Sequence, residues 1–296
     1  MIAAAIQMDA QQDIELNWTT AKRLAAEAKR RGAELVAFPE TFLYVGPDKT
    51  AACDLDEKRL PQFAELARGL GIYLLAGSVG ERIPESKKIY NTSVLLDRNG
   101  NELARYRKIH LFDATLPGGR SYCESDYIAP GSEVVVAKTE FGEVGLSICY
   151  DLRFPELYRR MTALRGTRLI FIPSNFTLMT GKDHWLPLLQ ARAIENQVYI
   201  IAPNQYGEKY GGQASCGRSA IIDPWGTVLG LAPPDREAVV VAEIDFYYQD
   251  KVRRAMPCLN HVRLLEFEMS TLKAEIERKL HYVDALRPNA VPRSEH

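Results

Sequence analysis

The sequence predicts an α/β fold of four layers, and two observations predict it. Apolar runs of strand length alternate with stretches of helical period, and this order of elements occurs twice along the chain. The 296 residues are 46% hydrophobic, which is enough for an extensive buried core.

The first half begins with a strand, a helix, a strand, a helix and a strand. In chain order these stretches are 2–8, 14–31, 34–40, 60–70 and 71–78. Such a βαβαβ order is typical of a sheet whose parallel strands are joined by helices. The stretch TSVLLDRNGNELARYRK then predicts two antiparallel strands, because Asn99-Gly100 can supply the positive φ angles of a two-residue hairpin turn.

The second half repeats the same order of elements. The aligned pairs are AIQMD at 5–9 with SICYD at 147–151, RGAELVAFPETF at 31–42 with RGTRLIFIPSNF at 165–176, GIYLLAGS at 71–78 with QVYIIAPN at 197–204, and NTSVLLDRNGNEL at 91–103 with GRSAIIDPWGTVL at 217–229. Ordered matches of this kind indicate an internal duplication. The alternative is that βα units resemble one another by chance.

Two similar halves predict one domain, with two sheets packed face to face and helices on both outer faces. We place this domain at residues 1–263. The segment 264–296 forms a separate C-terminal helical extension and tail, in which apolar residues near one helical face predict an amphipathic helix that packs on its own domain or on a second subunit. These residues are Leu265, Leu272, Ile276, Leu280 and Val283.

Composition and charge argue against several classes of protein. The 37 basic and 38 acidic residues leave a net charge of -1, so no overall field would recruit nucleic acid or an anionic membrane. No apolar run approaches the length of a membrane span, and no signal peptide is expected. The five cysteines lack CxxC spacing, which argues against a disulfide framework or a structural zinc site and favours a cytoplasmic location.

Cys149 lies at the end of an apolar strand, in GEVGLSICYDLRFPELYRR. The stretch after it turns into a helix with Pro155 in its first turn. Ligands bind at this rim of α/β sheets, where unpaired backbone N–H groups and the positive end of a helix can favour a thiolate. We therefore take Cys149 as a candidate nucleophile; the alternative is a buried core cysteine.

Glu40 ends the strand ELVAFPE, whereas the aligned strand of the second half ends at Ser174. The carboxylate is therefore not a repeated packing feature. Beside an apolar wall and a thiol, a glutamate is suited to accept and return protons. The alternative is a solvated charge at a helix N-terminus after Pro39.

Lys108 lies where the basic cluster RYRK passes into the apolar stretch IHLFD. A solvated lysine is the ordinary interpretation of such a cluster. The apolar neighbours favour burial instead, and a buried lysine needs an anionic partner such as a thiolate or an oxyanion.

Together, FPET, YRKIHLF and GLSICYDLRFPE resemble the Glu, Lys and Cys motifs of the nitrilase, or carbon-nitrogen hydrolase, superfamily, in the same order. The resemblance extends over approximately Met1 to Arg263. The further words SYCES, TGKDHW, ARAIENQ and DPWG also fall where members of this family carry similar ones. The resemblance implies a four-layer αββα fold, in agreement with the duplication.

The resemblance also implies roles for the candidate residues. Cys149 would be the nucleophile, Glu40 the general base and acid, and Lys108 the cation that stabilises the oxyanion together with the backbone N–H of Tyr150. Glu124 matches a further glutamate that many members place beside the lysine and the substrate; the alternative is an ordinary loop acid. This chemistry proceeds through a thioester and requires no metal or organic cofactor.

Within the family, CYDLRFPEL, CES and TGxxHW are most similar to the branch of deaminated glutathione amidase and omega-amidase. Those enzymes cleave an amide of a small carboxylate-bearing substrate. Candidate substrate-binding residues lie at or just beyond the ends of strands, and they are Tyr44, Arg153, Asn175, Phe176 and Thr177. SNFTLMTG departs from the family wording, which leaves a nitrile or a carbamoyl compound as alternative substrates.

Two rival functions remain at this level. A thiol-imidazole hydrolase would pair Cys149 with His184 or His110 instead of Glu40. A non-catalytic scaffold would keep the fold without the activity. The resemblance and the amphipathic C-terminal segment further predict a homodimer or a higher homo-oligomer.

Overall fold

A computed structural model of the protein describes residues 1–48, 50–117 and 119–263. The strands of these ranges, in chain order, are β1 (Ile2–Gln7), β2 (Leu35–Ala37), β3 (Tyr73–Arg82), β4 (Ile89–Leu96), β5 (Glu102–Arg107), β6 (Asp113–Thr115), β7 (Ser121–Cys123), β8 (Val136–Thr139), β9 (Gly142–Leu146), β10 (Leu169–Phe171), β11 (Tyr199–Ala202), β12 (Tyr206–Lys209), β13 (Gln213–Cys216), β14 (Ala220–Ile222), β15 (Val228–Leu231) and β16 (Ala238–Glu243). The α-helices are α1 (Ile14–Arg30), α2 (Leu60–Leu70), α3 (Pro155–Arg165), α4 (Leu178–Asn196) and α5 (Phe246–Ala255). Shorter helical turns span Leu55–Arg59, Glu124–Asp126, Cys149–Arg153, Tyr210–Gly212 and Cys258–His261.

The two main sheets have the same strand order. The first is a six-stranded sheet, β16-β1-β2-β3-β4-β5, and the second, read in the same sense, is β8-β9-β10-β11-β14-β15. In each sheet the second, third and fourth strands are parallel, and the remaining neighbours pair antiparallel. The internal duplication predicted from the sequence is therefore visible in the topology.

Residues of β1 alternate between two cores. Ala3 and Ala5 belong to a core that they share with residues of β9, β10 and β11, whereas Ala4 and Ile6 belong to a core that they share with α1 and α2. Because successive side chains of a strand point to opposite faces, the first sheet has α1 and α2 on one face and the second sheet on the other. With α3 and α4 packed on the second sheet, the predicted four-layer α/β architecture is confirmed.

The predicted helices of the first half are also observed, and their ends have local causes. The Asp13 carboxylate caps α1 by accepting a hydrogen bond from the Leu16 N–H at 3.0 Å. Gly71 ends α2 in the left-handed conformation, with φ 59°, which suits a residue without a side chain.

The predicted two-residue turn at Asn99-Gly100 is wrong in detail. The connection runs from Asp97 to Asn101, and of the two central residues only Gly100 has a positive φ, 81°. The Asp97 carboxylate accepts hydrogen bonds from the backbone N–H groups of Asn99 and Asn101 at 2.8 and 2.9 Å. This side-chain acceptor stabilises a longer turn, so the chain does not need two left-handed residues.

Met1–Met256 form one compact unit, and the residues from Pro257 onward fall outside it. The predicted amphipathic helix, with Leu265, Leu272, Ile276, Leu280 and Val283, lies outside the described residues. The boundary between residues 263 and 264 therefore stays a prediction.

Candidate active site

Three strand ends bring Glu40, Lys108 and Cys149 together. Glu40 follows β2, Lys108 follows β5, and Cys149 follows β9. The Lys108 ammonium lies 2.8 Å from Glu40 Oε1, and the Glu40 carboxylate is close enough to the Cys149 thiol to raise its pKa. All three residues line one cavity of about 320 Å³.

Cys149 begins the tight helical turn Cys149–Arg153, before α3. Its φ is 46°, in the left-handed region that a residue with a side chain rarely adopts. The surrounding structure holds this conformation, since the Cys149 N–H donates to the Pro173 carbonyl at 2.9 Å. The strained backbone directs the largely buried thiol into the cavity beside Glu40.

Burial and the neighbouring Glu40 carboxylate raise the pKa of the Cys149 thiol well above its ordinary value, although Lys108 and a hydrogen bond from the Asn175 backbone act in the opposite direction. The sequence suggested that this rim would favour a thiolate. The structure instead favours the neutral thiol, because desolvation and the adjacent negative charge outweigh the ammonium. A nucleophilic role for Cys149 would therefore require a base.

Lys108 is one of the largest fully buried side chains, with 2% of its surface exposed. Its ammonium contacts Glu40 Oε1 at 2.8 Å and the two oxygens of Glu124 at 3.0 and 2.8 Å. Burial alone would lower the pKa of Lys108, but the charges of Glu124 and Glu40 raise it well above its ordinary value. Lys108 is therefore a fixed cation.

Glu40 is buried and held by several donors. Its Oε1 accepts hydrogen bonds from Lys108 at 2.8 Å and from Asn91 Nδ2 at 3.0 Å, and its Oε2 accepts one from the Asn175 N–H at 2.8 Å. The Gln205 side chain donates to the Glu40 carbonyl oxygen at 3.0 Å. The carboxylate therefore has one orientation relative to the thiol.

Glu124 lies at the start of the short turn after β7. In addition to Lys108, its Oε2 accepts a hydrogen bond from the Phe112 N–H at 2.7 Å. Burial and the charge of Glu124 together raise the pKa of Tyr127 to about 12. The second glutamate thus adds a negative charge on the side of Lys108 that Glu40 leaves free.

Asn91 was not among the residues predicted from the sequence. It lies on β4, is 5% exposed, and donates from Nδ2 to both Glu40 Oε1 and Glu124 Oε1. A signal was present, because Asn91 aligns with Gly217 in the duplicated half and, like Glu40, is not repeated there.

Of the predicted substrate-binding residues, the structure places three in the cavity wall. These are Tyr44, Asn175 and Thr177. Phe176 instead packs against Trp185, with ring centroids 5.1 Å apart, and Arg153 lies over the rings of Phe176 and Tyr150. Neither Phe176 nor Arg153 belongs to the lining of the cavity.

The two histidines of the rival hypothesis are engaged elsewhere. His110 Nδ1 lies 2.7 Å from Asp151 Oδ1, and its ring stacks on Phe154. His184 is exposed, with its Nδ1 3.4 Å from Arg153. Neither histidine lines the cavity that holds Cys149.

A second cavity of about 520 Å³ shares Tyr122 and Thr177 with the first. It is lined by apolar side chains and by two exposed basic residues, Arg120 and Lys182. Arg120 donates to the carbonyl of Gly212 at 2.6 Å and so joins the loop between β6 and β7 to the loop between β12 and β13. The second cavity, which borders the one that holds Cys149, therefore has positive charge in its wall.

Within the described ranges, no group of three or more His, Cys, Asp or Glu side chains is arranged to hold a metal ion. In the same ranges, no helix has both the length and the apolar character needed to cross a membrane.

A family model described as carbon-nitrogen hydrolase matches residues 2–254. A deaminated glutathione amidase of Synechocystis sp. is 42% identical over 269 residues, which cover 88% of this chain and 97% of that protein. The chain therefore belongs to the carbon-nitrogen hydrolase family. It is an enzyme of that family, similar over most of its length to proteins named deaminated glutathione amidase.

Solved structures agree with this assignment. The NitFhit protein of C. elegans superposes with a TM-score of 0.82 at 37% identity, over 88% of this chain and 65% of that chain. An amidase from Nesterenkonia sp. AN1 superposes with a TM-score of 0.71 at 27% identity, over 88% of this chain and 100% of that chain. That second structure is of a variant with acrylamide added to the active site cysteine.

Proposed function

We propose that this protein is an amidase that hydrolyses the carbon-nitrogen bond of a small carboxylate-bearing amide through a thioester on Cys149. The observation that carries the proposal is the meeting of a thiol, a carboxylate and an ammonium, from Cys149, Glu40 and Lys108, in one cavity. Relatives named deaminated glutathione amidase, 42% identical in one case, support the amide as the substrate class.

In the first step, Glu40 takes the proton of Cys149 as the sulfur attacks the amide carbon. The carbonyl oxygen becomes an oxyanion, which the Lys108 ammonium and the Tyr150 backbone N–H stabilise. The carbon-nitrogen bond then breaks, and Glu40 passes its proton to the leaving nitrogen. Ammonia or an amine departs, and a thioester on Cys149 remains.

In the second step, Glu40 takes a proton from water, and the hydroxide attacks the thioester carbon. The carbon-sulfur bond breaks, the acid product leaves, and the proton on Glu40 returns to the Cys149 sulfur. One glutamate thus serves both steps, which is consistent with its fixed orientation beside the thiol.

Glu124 contributes as a second anionic partner of Lys108. With two carboxylates around it, the ammonium stays charged in a buried site and available to the oxyanion. Tyr44, Asn175 and Thr177 are proposed to contact the substrate from the cavity wall. Arg153 and Phe176 do not line the cavity, so they would influence the substrate only through the residues that do.

The positive charges of the second cavity support a carboxylate on the substrate. Arg120 and Lys182 line the space that continues from the catalytic cavity past Tyr122 and Thr177. An amide held at Cys149 would extend its distal end toward these two basic residues, where a carboxylate gains most from electrostatic attraction.

The thioester is tested by intact-mass analysis of protein quenched during turnover of a small amide. An acyl adduct on Cys149 is expected in the wild-type enzyme and should be absent in Cys149→Ser, with the adduct located by peptide mass. Turnover without any adduct would contradict the proposed mechanism. Absence of both turnover and adduct with amides, nitriles and carbamoyl compounds would favour the non-catalytic scaffold.

The carboxylate preference is tested with Lys182→Glu. The expected result is a KM about tenfold higher for a carboxylate-bearing amide and an unchanged KM for a neutral amide of the same size, since one favourable charge becomes unfavourable. Lys138→Glu, a charge change of the same size on the exposed face of β8, is the matched control. Equal effects of Lys182→Glu on the KM of both substrates would show that Lys182 does not recognise the substrate carboxylate.

We also propose that the enzyme works as a homodimer or a higher homo-oligomer in the cytoplasm. β15 supports association, because it is an edge strand of its sheet and exposes Leu229 and Leu231. Light scattering of the full chain would measure its oligomeric state. The same measurement on a version ending at Arg263 would show whether residues 264–296 are needed for association. A monomer in both cases would refute the proposed oligomer.

A further inference from the structure

Asn91 lies between the two glutamates of the site. Its Nδ2 is 3.0 Å from Glu40 Oε1 and 3.3 Å from Glu124 Oε1. The same two oxygens lie 2.8 and 3.0 Å from the Lys108 ammonium. Two acceptor oxygens that would otherwise repel each other therefore share two donors, one charged and one neutral.

The orientation of the Asn91 amide follows from its neighbours. Both neighbours of Nδ2 are carboxylate oxygens, which accept hydrogen bonds, so the NH2 group must face them. The Asn91 Oδ1 is then buried and, among the described residues, has no hydrogen-bond partner. A buried acceptor without a partner disfavours the folded state, so the amide is kept in this orientation for its donors.

We propose that Asn91 is a positioning residue of the hydrolase, which holds the carboxylates of Glu40 and Glu124 in place around Lys108. This inference rests on the proposed role of Glu40 as the base. A lysine alone would have to balance two buried carboxylates while it also stabilises the oxyanion. The Asn91 amide takes part of that task, because a neutral donor stabilises carboxylates without adding a charge that would compete for the oxyanion.

The backbone of Asn91 supports the same arrangement. Its carbonyl oxygen accepts a hydrogen bond from the Lys108 N–H at 2.9 Å, just beyond the last residue of β5. One residue of β4 thus contacts the main chain of the lysine and the side chains of both glutamates.

Two variants separate this role from simple space filling. Asn91→Ala removes the donor, and Asn91→Asp keeps the shape but turns an acceptor toward the two glutamates. We expect kcat/KM at neutral pH to fall roughly tenfold to a hundredfold in Asn91→Ala and further in Asn91→Asp. A residue that only fills space would give the reverse order, since the isosteric variant would then be milder.

The separate values of kcat and KM provide a readout that a structural role would not change. In Asn91→Ala we expect the loss to fall on kcat, with KM within about twofold of the wild type, because the variant misplaces Glu40 and Glu124 and leaves the other side chains of the cavity wall unchanged. Ser93→Ala, on the same strand, is the control, since its buried hydroxyl has no hydrogen-bond partner among the described residues. Its kcat and KM should match the wild type, and circular dichroism would verify that all three variants are folded.

The outcomes distinguish this inference from the proposed function. If the wild-type enzyme forms the Cys149 adduct while kcat of Asn91→Ala stays at the wild-type value, the role of Asn91 is refuted and the amidase mechanism stands. The same holds if Asn91→Asp is as active as Asn91→Ala or more so. A wild-type enzyme without an adduct would refute the mechanism itself.

Discussion

At the scale of single residues, the site depends on how one carboxylate is held. Glu40 receives donors from separate parts of the chain: Asn91 of β4, Lys108 after β5, and Asn175 after β10. The thiol beside it is kept neutral by burial and by that same carboxylate. The group that suppresses the thiolate is therefore also the group that we propose removes the proton.

Replacing Glu40 should separate these two effects. In Glu40→Gln, turnover is expected to be lost, but the pKa of Cys149 should fall, because burial remains while the carboxylate that raises it is gone and Lys108 still lowers it. The curve of iodoacetamide alkylation against pH should therefore shift to lower pH than in the wild-type enzyme.

Peptide mass would follow alkylation at Cys149 separately from the exposed Cys123. The rate at Cys123 serves as an internal reference and should be the same in both proteins. A shift of the Cys149 curve to higher pH in Glu40→Gln would show that Glu40 is not the charge that keeps the thiol protonated.

Some residues of the site can be predicted because they break the symmetry of the two halves. Glu40 stands out because its twin is Ser174, and the same comparison would have identified Asn91, whose twin is Gly217. The contacts of Phe176 and Arg153 could not be predicted, because strand-end position does not determine which side of a loop a side chain faces.

At the scale of elements, Asp151 joins the turn of Cys149 to the segment that carries Lys108. Its buried carboxylate accepts hydrogen bonds from the Tyr106 hydroxyl at 2.7 Å, from the His110 N–H at 3.0 Å and from the Ile148 N–H at 2.8 Å. Tyr106 and His110 are on either side of Lys108 in the chain. The turn that carries Cys149 and the segment that carries Lys108 are therefore fixed relative to each other through one side chain.

Asp151→Asn should lower both stability and activity. Its amide would turn a donor toward a donor, and we expect the free energy of unfolding to fall by about 3 kcal/mol. Tyr106→Phe, which removes the bond that its hydroxyl donates to Asp151 and the longer one that it accepts from the Ile109 N–H, should cost less, about 1 to 2 kcal/mol. Urea unfolding measures both values, and an Asp151→Asn variant as stable as Tyr106→Phe would contradict this account.

One element absent from the sequence prediction, β16, depends on a distant partner. The helices α1 and α2 could be predicted because their apolar period and their ends are local. β16 could not, since its pairing with β1 joins residues such as Ile2 and Glu243 at opposite ends of the described chain. A local sequence pattern carries no information about which distant strand will pair with it.

At the scale of the whole molecule, β16 comes from the end of the second half but completes the sheet of the first. Its six residues pair with β1 along the full length of that strand. The first half therefore depends on the second for backbone hydrogen bonds as well as for packed side chains.

Truncation after Leu231 should expose the backbone edge of β1 and give an insoluble or aggregating protein, because an uncovered sheet edge pairs with other chains. A version ending at Arg263 keeps β16 and is the matched control; it should remain soluble with a cooperative unfolding transition. Size-exclusion chromatography and thermal denaturation compare the two. A soluble, cooperatively folded chain ending at Leu231 would show that β16 is dispensable.

The matching strand order of the two sheets also bears on how such an enzyme could arise. A half of this kind, made as a separate ancestral polypeptide, would leave one sheet face uncovered and would need a second copy of itself to cover it. Two identical copies would present the same acid, or the same thiol, from both sides. Fusion of two such copies into one gene would free each to diverge. One half could then carry Glu40 where the other carries Ser174, and a carboxylate from one half could meet a thiol from the other.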